Sequence, residues 1–152
     1  MSSITIDCRE SKLIDLFKNT GKPITTASLE LGDIHIIEKV NTNIETITNT
    51  SRIKYIIERK TIDDLIASLK DGRYREQKLR VLSSLKTKPE LAHTEFLYLI
   101  EGITVNYKDE IKKSYYGTYI SLLLRDNIKI DKTDTLEETT LFLNRLIDRL
   151  NA

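Results

Sequence analysis

Between Arg52 and Leu69 the chain changes its hydrophobic period within a few residues, and that switch limits the folds open to it. The run RIKYIIERK, residues 52–60, is strongly β-prone, and Thr61 then opens a Ser/Thr-x-x-Asp/Glu capping pattern that Asp64 completes. Beyond it Ile62, Leu65, Ile66 and Leu69 recur at the spacing of one helix face. A strand that feeds directly into a helix is a unit of layered α/β structure, and the rest of the chain repeats the alternation. Ser2 to Asp7 reads as a short strand, and Leu13, Ile14, Leu16 and Phe17 give the next segment an apolar helical face that ends near Gly21-Lys22-Pro23. Thr25 to Val40 reads as extended with a bend at Gly32, and the polar stretch NTNIETITNTS separates it from the strand before Thr61. Two extended segments joined in this way predict an antiparallel pair with a long connection.

Asp71-Gly72 interrupts the helix after Thr61, and a second helix to about Leu85 carries Tyr74, Lys78, Leu82 and Leu85 on one side. Phe96 to Ile100 has the length and apolar character of a buried central strand. A helix from about Lys108 to Arg125, a short strand from Ile128 to Ile130 and a last helix from about Thr135 to Leu150 follow, the last with a stripe of Leu143, Leu146, Ile147 and Leu150. The expected fold is α/β, a mixed central sheet flanked by helices, in one domain over residues 1–152. A chain of 152 residues can bury roughly 70% of its unfolded surface, enough for a core without staples.

Composition removes several function classes. Lys and Arg total 24 against 23 Asp and Glu, so a polyanion partner has to be met by local clustering rather than by whole-chain charge. Cys8 is the only cysteine, which excludes an internal disulfide and a zinc-finger ligand set and suits a reducing compartment. No basic-then-apolar leader begins the chain and no run approaches the roughly 20 apolar residues of a membrane span, so a soluble, intracellular protein is expected.

Against this scaffold a set of charges stands out: Gly32-Asp33 on one extended segment and Glu58-Arg59-Lys60 at the end of the next. Side chains alternate along a strand, so Glu58 and Lys60 share one face while Ile57 and Arg59 take the other. Strand pairing can bring Asp33 beside Glu58. Two carboxylates and a lysine suit a Mg²⁺ ion next to a phosphodiester: the ion takes hard oxygen ligands and keeps several waters, and the lysine stabilises phosphate charge or orients the attacking water. Asp7 and Glu10 could complete a second metal position, although Asp7 can equally terminate a strand and Glu10 can equally favour a helix N-terminus. Asp64 has two readings, a cap partner and a catalytic carboxylate. Cys8 reads as a small buried residue, and His35 and His93 lie outside any ligand spacing.

These residues carry a resemblance. Gly32-Asp33, Glu58-Arg59-Lys60 and Asp64 match the GD…ERK-x-x-x-D signature, and the chain resembles the XPF family of structure-specific endonucleases, above all its crossover-junction, Mus-type branch. The match is densest from Asp33 to Arg80, through IERKTIDDLIASLKDGRYREQKLR, and extends to the early strand with Asp7 and Glu10 and to YLIEG at Tyr98 to Gly102. The resemblance implies a restriction-endonuclease-like nuclease fold. It also implies Mg²⁺, with Mn²⁺ as a substitute, held by Asp33, Glu58 and the carbonyl of Arg59, with Asp7 and Glu10 at positions for further metal contacts and Lys60 as the catalytic lysine. Arg73 and Gln77 match a GR-x-x-x-Q element beside the active site. Relatives of this kind cut branched DNA at 3′ flaps, forks or nicked junctions, leaving a 3′ hydroxyl and a 5′ phosphate, and dimerise through the later part of the nuclease domain. The compartment implied is the nucleus or another that contains DNA.

The electrostatics of the residues agree. From Lys70 to Lys88 seven basic residues face only Asp71 and Glu76, a local charge of about +5 in a balanced chain, with Lys78 and Arg80 added to Arg73 and Gln77 as DNA-contacting candidates. The ordinary alternative is a solvated helix laced with ion pairs. One departure from the pattern is that the chain ends at Ala152 without room for the tandem helix-hairpin-helix modules of many relatives, which leaves substrate preference open. Partner candidates for a dimer, with itself or with an inactive homologous subunit, are the faces Ile111, Tyr115, Tyr119, Leu122 and Leu143, Ile147, Leu150, which packing on the sheet would also claim. Competing readings are a non-catalytic junction-binding scaffold subunit and a Holliday-junction resolvase of the wider restriction-type fold.

Overall fold

The computed structural model describes residues 1–41 and 49–152, and the middle of the polar connection read between the two extended segments lies outside the described residues. Strand β1 (Ser2–Asp7) is followed by helix α1 (Ser11–Thr20), the short β2 (Thr25–Ala27), β3 (Ile34–Asn41) and β4 (Asn49–Thr61). Helices α2 (Ile62–Lys70) and α3 (Arg73–Thr87), a 3₁₀ turn, β5 (Glu95–Glu101), α4 (Asp109–Ile120) with a π-helical end at Ser121–Arg125, β6 (Lys129–Thr133) and α5 (Leu136–Leu150) complete the chain. The strands form one sheet in the order β2-β1-β3-β4-β5-β6. The pairs β1–β3 and β3–β4 are antiparallel, whereas β1–β2, β4–β5 and β5–β6 are parallel, so the mixed sheet expected from the sequence is present.

Strand alternation divides the core in two. Ile56, Phe96, Tyr98 and Ile100 face a layer made by α2, α3 and α4, where Ile62, Leu65, Tyr74, Val81, Tyr115 and Leu122 are buried. Ile4, Ile6, Ile34, Ile36, Ile57 and Leu99 face Leu13, Phe17, Leu143 and Ile147 of α1 and α5. The stripes on the last helix and on α4 are therefore largely claimed by packing on the sheet, with Tyr115, Leu122, Leu143 and Ile147 buried. At about 1.5–3 kcal/mol for each fully buried large aliphatic side chain, these two clusters are what hold the helices to the sheet.

The switch from strand to helix at Thr61 occurs where the pattern put it: the Thr61 hydroxyl accepts from the Asp64 amide at 3.2 Å, a cap worth about 1 kcal/mol. The stretch read as extended from Thr25 to Val40 is instead two strands, because β2 pairs with β1 and residues 28–33 bend across the sheet end. Gly32 makes that bend possible. Its φ is +70°, and a β-carbon there would lie 2.7 Å from Ile56 Cγ2 and 3.0 Å from the Ile57 carbonyl oxygen. Cys8 is exposed rather than buried, since it follows the last β1 residue and points out of the loop.

Candidate active site

Asp33 and Glu58 meet because of the β3–β4 register. Ile34 pairs with Ile57, the Asp33 amide donates to the Ile57 carbonyl at 2.9 Å, and the next step of the antiparallel ladder sets Asp33 beside Glu58. The Arg59 amide then donates to Asp33 Oδ2 at 2.9 Å, which fixes the carboxylate at the sheet end. Both side chains line a cleft of about 430 Å³. Its other walls are the loop Ser28–Gly32, Arg9 from the end of β1, and Gln77, Arg80 and Val81 from α3.

The charges there are poorly compensated. Burial, followed by the neighbouring Asp33 charge, pushes Glu58 up to about 8, against the partial relief of Lys60. Burial also raises Asp33, opposed by the hydrogen bond from Arg59 and the charge of Lys60. Two carboxyls that resist ionisation side by side are a site whose negative form needs a cation. Lys60 points the same way as Glu58, and its ammonium donates to Gln77 Oε1 at 2.9 Å, so a residue of α3 positions it.

On the opposite face of β4 the arrangement is closed. The Arg59 guanidinium donates to Glu101 through Nε at 3.1 Å and Nη2 at 2.6 Å, and to Glu10 Oε2 through Nη1 at 2.9 Å. Glu10 is raised by burial, with Arg59 pulling it down and Asp33 adding to the rise. Asp7 is different in kind. Its carboxylate is 1% exposed and accepts from Arg9 N, Arg9 Nε, Arg9 Nη2 and Leu29 N at 2.8–3.0 Å. The Arg9 partnership, outweighing burial, holds it well below the usual carboxylate range. Asp7 anchors the loop that walls the cleft, and all of its strong acceptor positions are used. Of the two acids expected at a second metal position, Asp7 has its oxygens engaged by Arg9 and the Leu29 amide, and Glu10 keeps Oε1 without a donor among the described residues.

The donor set fits a single hard cation. Among the described residues no three carboxylate, imidazole or thiolate side chains converge to chelate an ion unaided. Asp33 and Glu58 supply two anionic oxygens, so backbone carbonyls, water and a phosphate would complete a Mg²⁺-type octahedron.

Other sequence candidates fare unequally. Asp64 is exposed, serves the helix start through its amide and does not line the cleft. Lys78 is a correction: it is 4% exposed, its ammonium donates to Asp126 Oδ2 at 2.8 Å, and it lies over the Tyr74 ring, so it braces α3 against the segment after α4 instead of facing DNA. Its position at i+4 from Tyr74 on the apolar stripe was the available signal. Arg80 is exposed at the cleft mouth, and Arg73 is exposed and paired with Asp71 at 2.7 Å. Sequence reasoning missed Arg9, although it stands between the two singled-out carboxylates Asp7 and Glu10, and missed Glu101, an acid closing an apolar strand.

Comparison with known proteins gives this geometry a context. The model of the ERCC4 domain matches residues 6–146. Crossover junction endonuclease mus-81 of Neurospora crassa is 32% identical over 125 residues, covering 76% of this chain and 18% of that protein. Crossover junction endonuclease MUS81 of Gibberella zeae is 29% identical over 143 residues, covering 87% of this chain and 22% of that protein. The chain thus spans about one fifth of the length of these relatives. Among solved structures, XPF from Aeropyrum pernix superposes with a TM-score of 0.70 at 23% identity, over 99% of this chain and 61% of that one. The same protein in complex with DNA gives 0.68 over 96% and 63%.

Proposed function

This chain belongs to the ERCC4 domain family, and on that footing we propose that it is a metal-dependent, structure-specific DNA endonuclease that hydrolyses a phosphodiester in branched DNA. The observation that carries the reading is the pairing of Asp33 and Glu58 across β3 and β4 in one cleft, with both carboxyls raised by burial and Lys60 on the same strand face as Glu58, bonded to the cleft residue Gln77. Mg²⁺, or Mn²⁺ in its place, would be held by Asp33, Glu58 and the Arg59 carbonyl, and when bound supplies Lewis-acid polarisation of the phosphate and a more acidic water. The chain's own residues do the rest. Lys60, steered by Gln77, meets the charge that grows on the phosphate oxygens or orients the attacking water. Arg80 and Arg73, on the exposed side of α3, contact backbone phosphates without reading sequence, which suits recognition of branch shape such as 3′ flaps, forks and nicked junctions.

Dimerisation, with a second copy or an inactive homologous subunit, belongs to the same proposal. The surface for it is the outer side of α4 and its π-helical end, where Tyr116, Ile120, Leu123 and Leu124 are exposed, Leu124 at 79%. No helix among the described residues is long and apolar enough to cross a membrane.

The test is cleavage of labelled 3′ flap, fork, four-way and linear DNA by the purified chain in Mg²⁺ or EDTA. Branched substrates are cut in Mg²⁺, and Asp33→Ala or Glu58→Ala abolishes cutting. Metal-independent cutting, or full activity in both variants, would sink the mechanism, and binding of branched DNA without cleavage under any metal would make the chain a scaffold subunit.

A further inference from the structure

One wall of the cleft that holds Asp33 and Glu58 carries an arginine for which the proposed chemistry has no use. The charged residues lining the cleft are the acids Glu30, Asp33 and Glu58 and the cations Arg9 and Arg80. Arg80 comes from α3, whereas Arg9 comes from the segment between β1 and α1, and β1 lies two strands from β4 in the sheet. A phosphate backbone that enters among three acids needs cations on the walls to offset the repulsion.

Arg9 is held in place before any ligand arrives. Its amide and Nε donate to Asp7 Oδ1 at 2.8 and 2.9 Å, and Nη2 donates to Oδ2 at 2.9 Å. The Asp7 side chain is 1% exposed and that of Arg9 75%, so a buried acid fixes an exposed cation. Oδ2 also accepts from the Leu29 amide at 3.0 Å, which seats the guanidinium beside the loop Ser28–Gly32 that walls the cleft. Arg9 borders a smaller hollow with Glu10 and Arg59 as well, but those two are already joined to each other. Of the five N–H donors of a guanidinium the clamp takes two, and the edge across Nη1 and Nη2, which fits two phosphate oxygens, stays open. The loss of side-chain freedom that weakens many arginine–phosphate contacts has here been incurred on folding.

We propose that Arg9 is a DNA-binding residue of the cleft, whose Nη1–Nη2 edge grips a backbone phosphate of the cut strand next to the scissile phosphate at Asp33 and Glu58. The role rests on the nuclease reading above for its substrate. Asp7 is then the residue that positions Arg9, and the Ser28–Gly32 loop is tied to the same carboxylate through Leu29. With Arg80 on α3 the strand is held from two walls, and both contacts are to phosphate and blind to sequence.

Binding of the full chain to labelled fork DNA in EDTA, measured against salt, tests this. Arg9→Gln is expected to weaken binding about fivefold and to lower the salt slope by about 1. Forks in which one backbone phosphate near the branch is replaced by an uncharged methylphosphonate, a different one in each, then locate the contact. At one position the wild-type chain is expected to lose the same factor of about five, and Arg9→Gln to lose nothing further. Wild-type affinity and slope in folded Arg9→Gln overturn the role. A loss that adds to that of every methylphosphonate also overturns it, since Arg9 would then act only by holding its loop. If Arg9→Gln does not fold because Asp7 is left buried and unpaired, Asp7→Asn with Arg9→Gln leaves no buried charge there, and the same additivity at every position overturns the role in that background. Cleavage of the same forks in Mg²⁺ separates the two readings. Binding with the expected pattern but no cleavage overturns the nuclease reading and leaves Arg9 a phosphate contact. Cleavage with no effect of Arg9→Gln on binding overturns the role of Arg9 alone, and a wild-type chain that neither binds nor cuts overturns both.

Discussion

The two faces of β4 at its last turn of chain, three residues apart at most, are built on opposite principles. On one face Glu58 looks into a cleft, and Lys60, on the same face, has the side-chain amide of Gln77 as its partner among the described residues. On the other face Arg59 has both of its edges filled, by Glu10 and by Glu101, and the network ends on two threonine hydroxyls. The open face is where a substrate and an ion can change the energetics, since little in the protein competes for those groups. The closed face is where the geometry of the open one is stored. A contiguous Glu-Arg-Lys triplet therefore holds an open charged pair and a closed ion-pair network at once, because successive side chains of a strand cannot share a face.

Substitutions can break this contrast in a graded way. The largest effect is expected on the open face, where Asp33→Ala or Glu58→Ala lowers cleavage of branched DNA by at least about 100-fold while urea denaturation stays near wild type or improves, since a poorly compensated charge is removed. Arg59→Met should show the reverse emphasis. It strands Glu10 and Glu101 as buried acids and is expected to cost about 3 kcal/mol of stability by urea denaturation; a chain as stable as wild type would mean that the closed face is not supporting anything. Gln77→Ala releases Lys60 and should lower kcat on the order of tenfold, with KM little changed.

The two sides of α3 extend the comparison. Arg80→Ala is expected to weaken DNA binding and reduce the salt slope by about 1, whereas Lys78→Met leaves the slope alone and instead costs about 1–3 kcal/mol by leaving Asp126 with only its longer contact to Arg125. Equal salt slopes for both variants would undo the assignment of one side to DNA and the other to packing. A separate check on the open face lies in the pH dependence of stability. Glu58 titrates near 4.5 when unfolded and near 8 when folded, so the folded state binds the extra proton and metal-free stability falls as pH rises between those values. Glu58→Gln should flatten that fall, and Mg²⁺ should oppose it in wild type only; a metal-free stability that rises over the same interval would contradict the buried-pair electrostatics.

Much of this was legible in the residues. The capping pattern at Thr61, the alternation through Glu58, Arg59 and Lys60, and the apolar strand before Glu101 each rest on neighbours in sequence, and the elements stand where those patterns put them. Lys78 was misread, and the partners of Asp7 were invisible in the sequence, for a common reason. Whether a charged side chain faces solvent, a partner or an ion depends on what the fold brings from elsewhere: Asp126 from 48 positions away to Lys78, Leu29 from 22 positions away to Asp7. On the α4 face the fold decided likewise: Tyr115 and Leu122 went into the core, and Tyr116, Ile120, Leu123 and Leu124 stayed outside.

From local periodicity and backbone chemistry alone the chain determined its alternating strands and helices, the mixed sheet, and the sharing of one strand face by Glu58 and Lys60, since these depend on side-chain direction and on the propensities of adjacent residues. Only the tertiary structure decided which acids are free and which are spent. Asp7 is spent on Arg9 and Leu29 N, Glu101 on Arg59 and Thr139, while Asp33 and Glu58 are left facing each other in a cleft. The reason is physical: a carboxylate's chemistry is set by its burial and by the donors within about 3 Å of it, and those donors come from segments that are distant in the chain and adjacent only in the folded sheet.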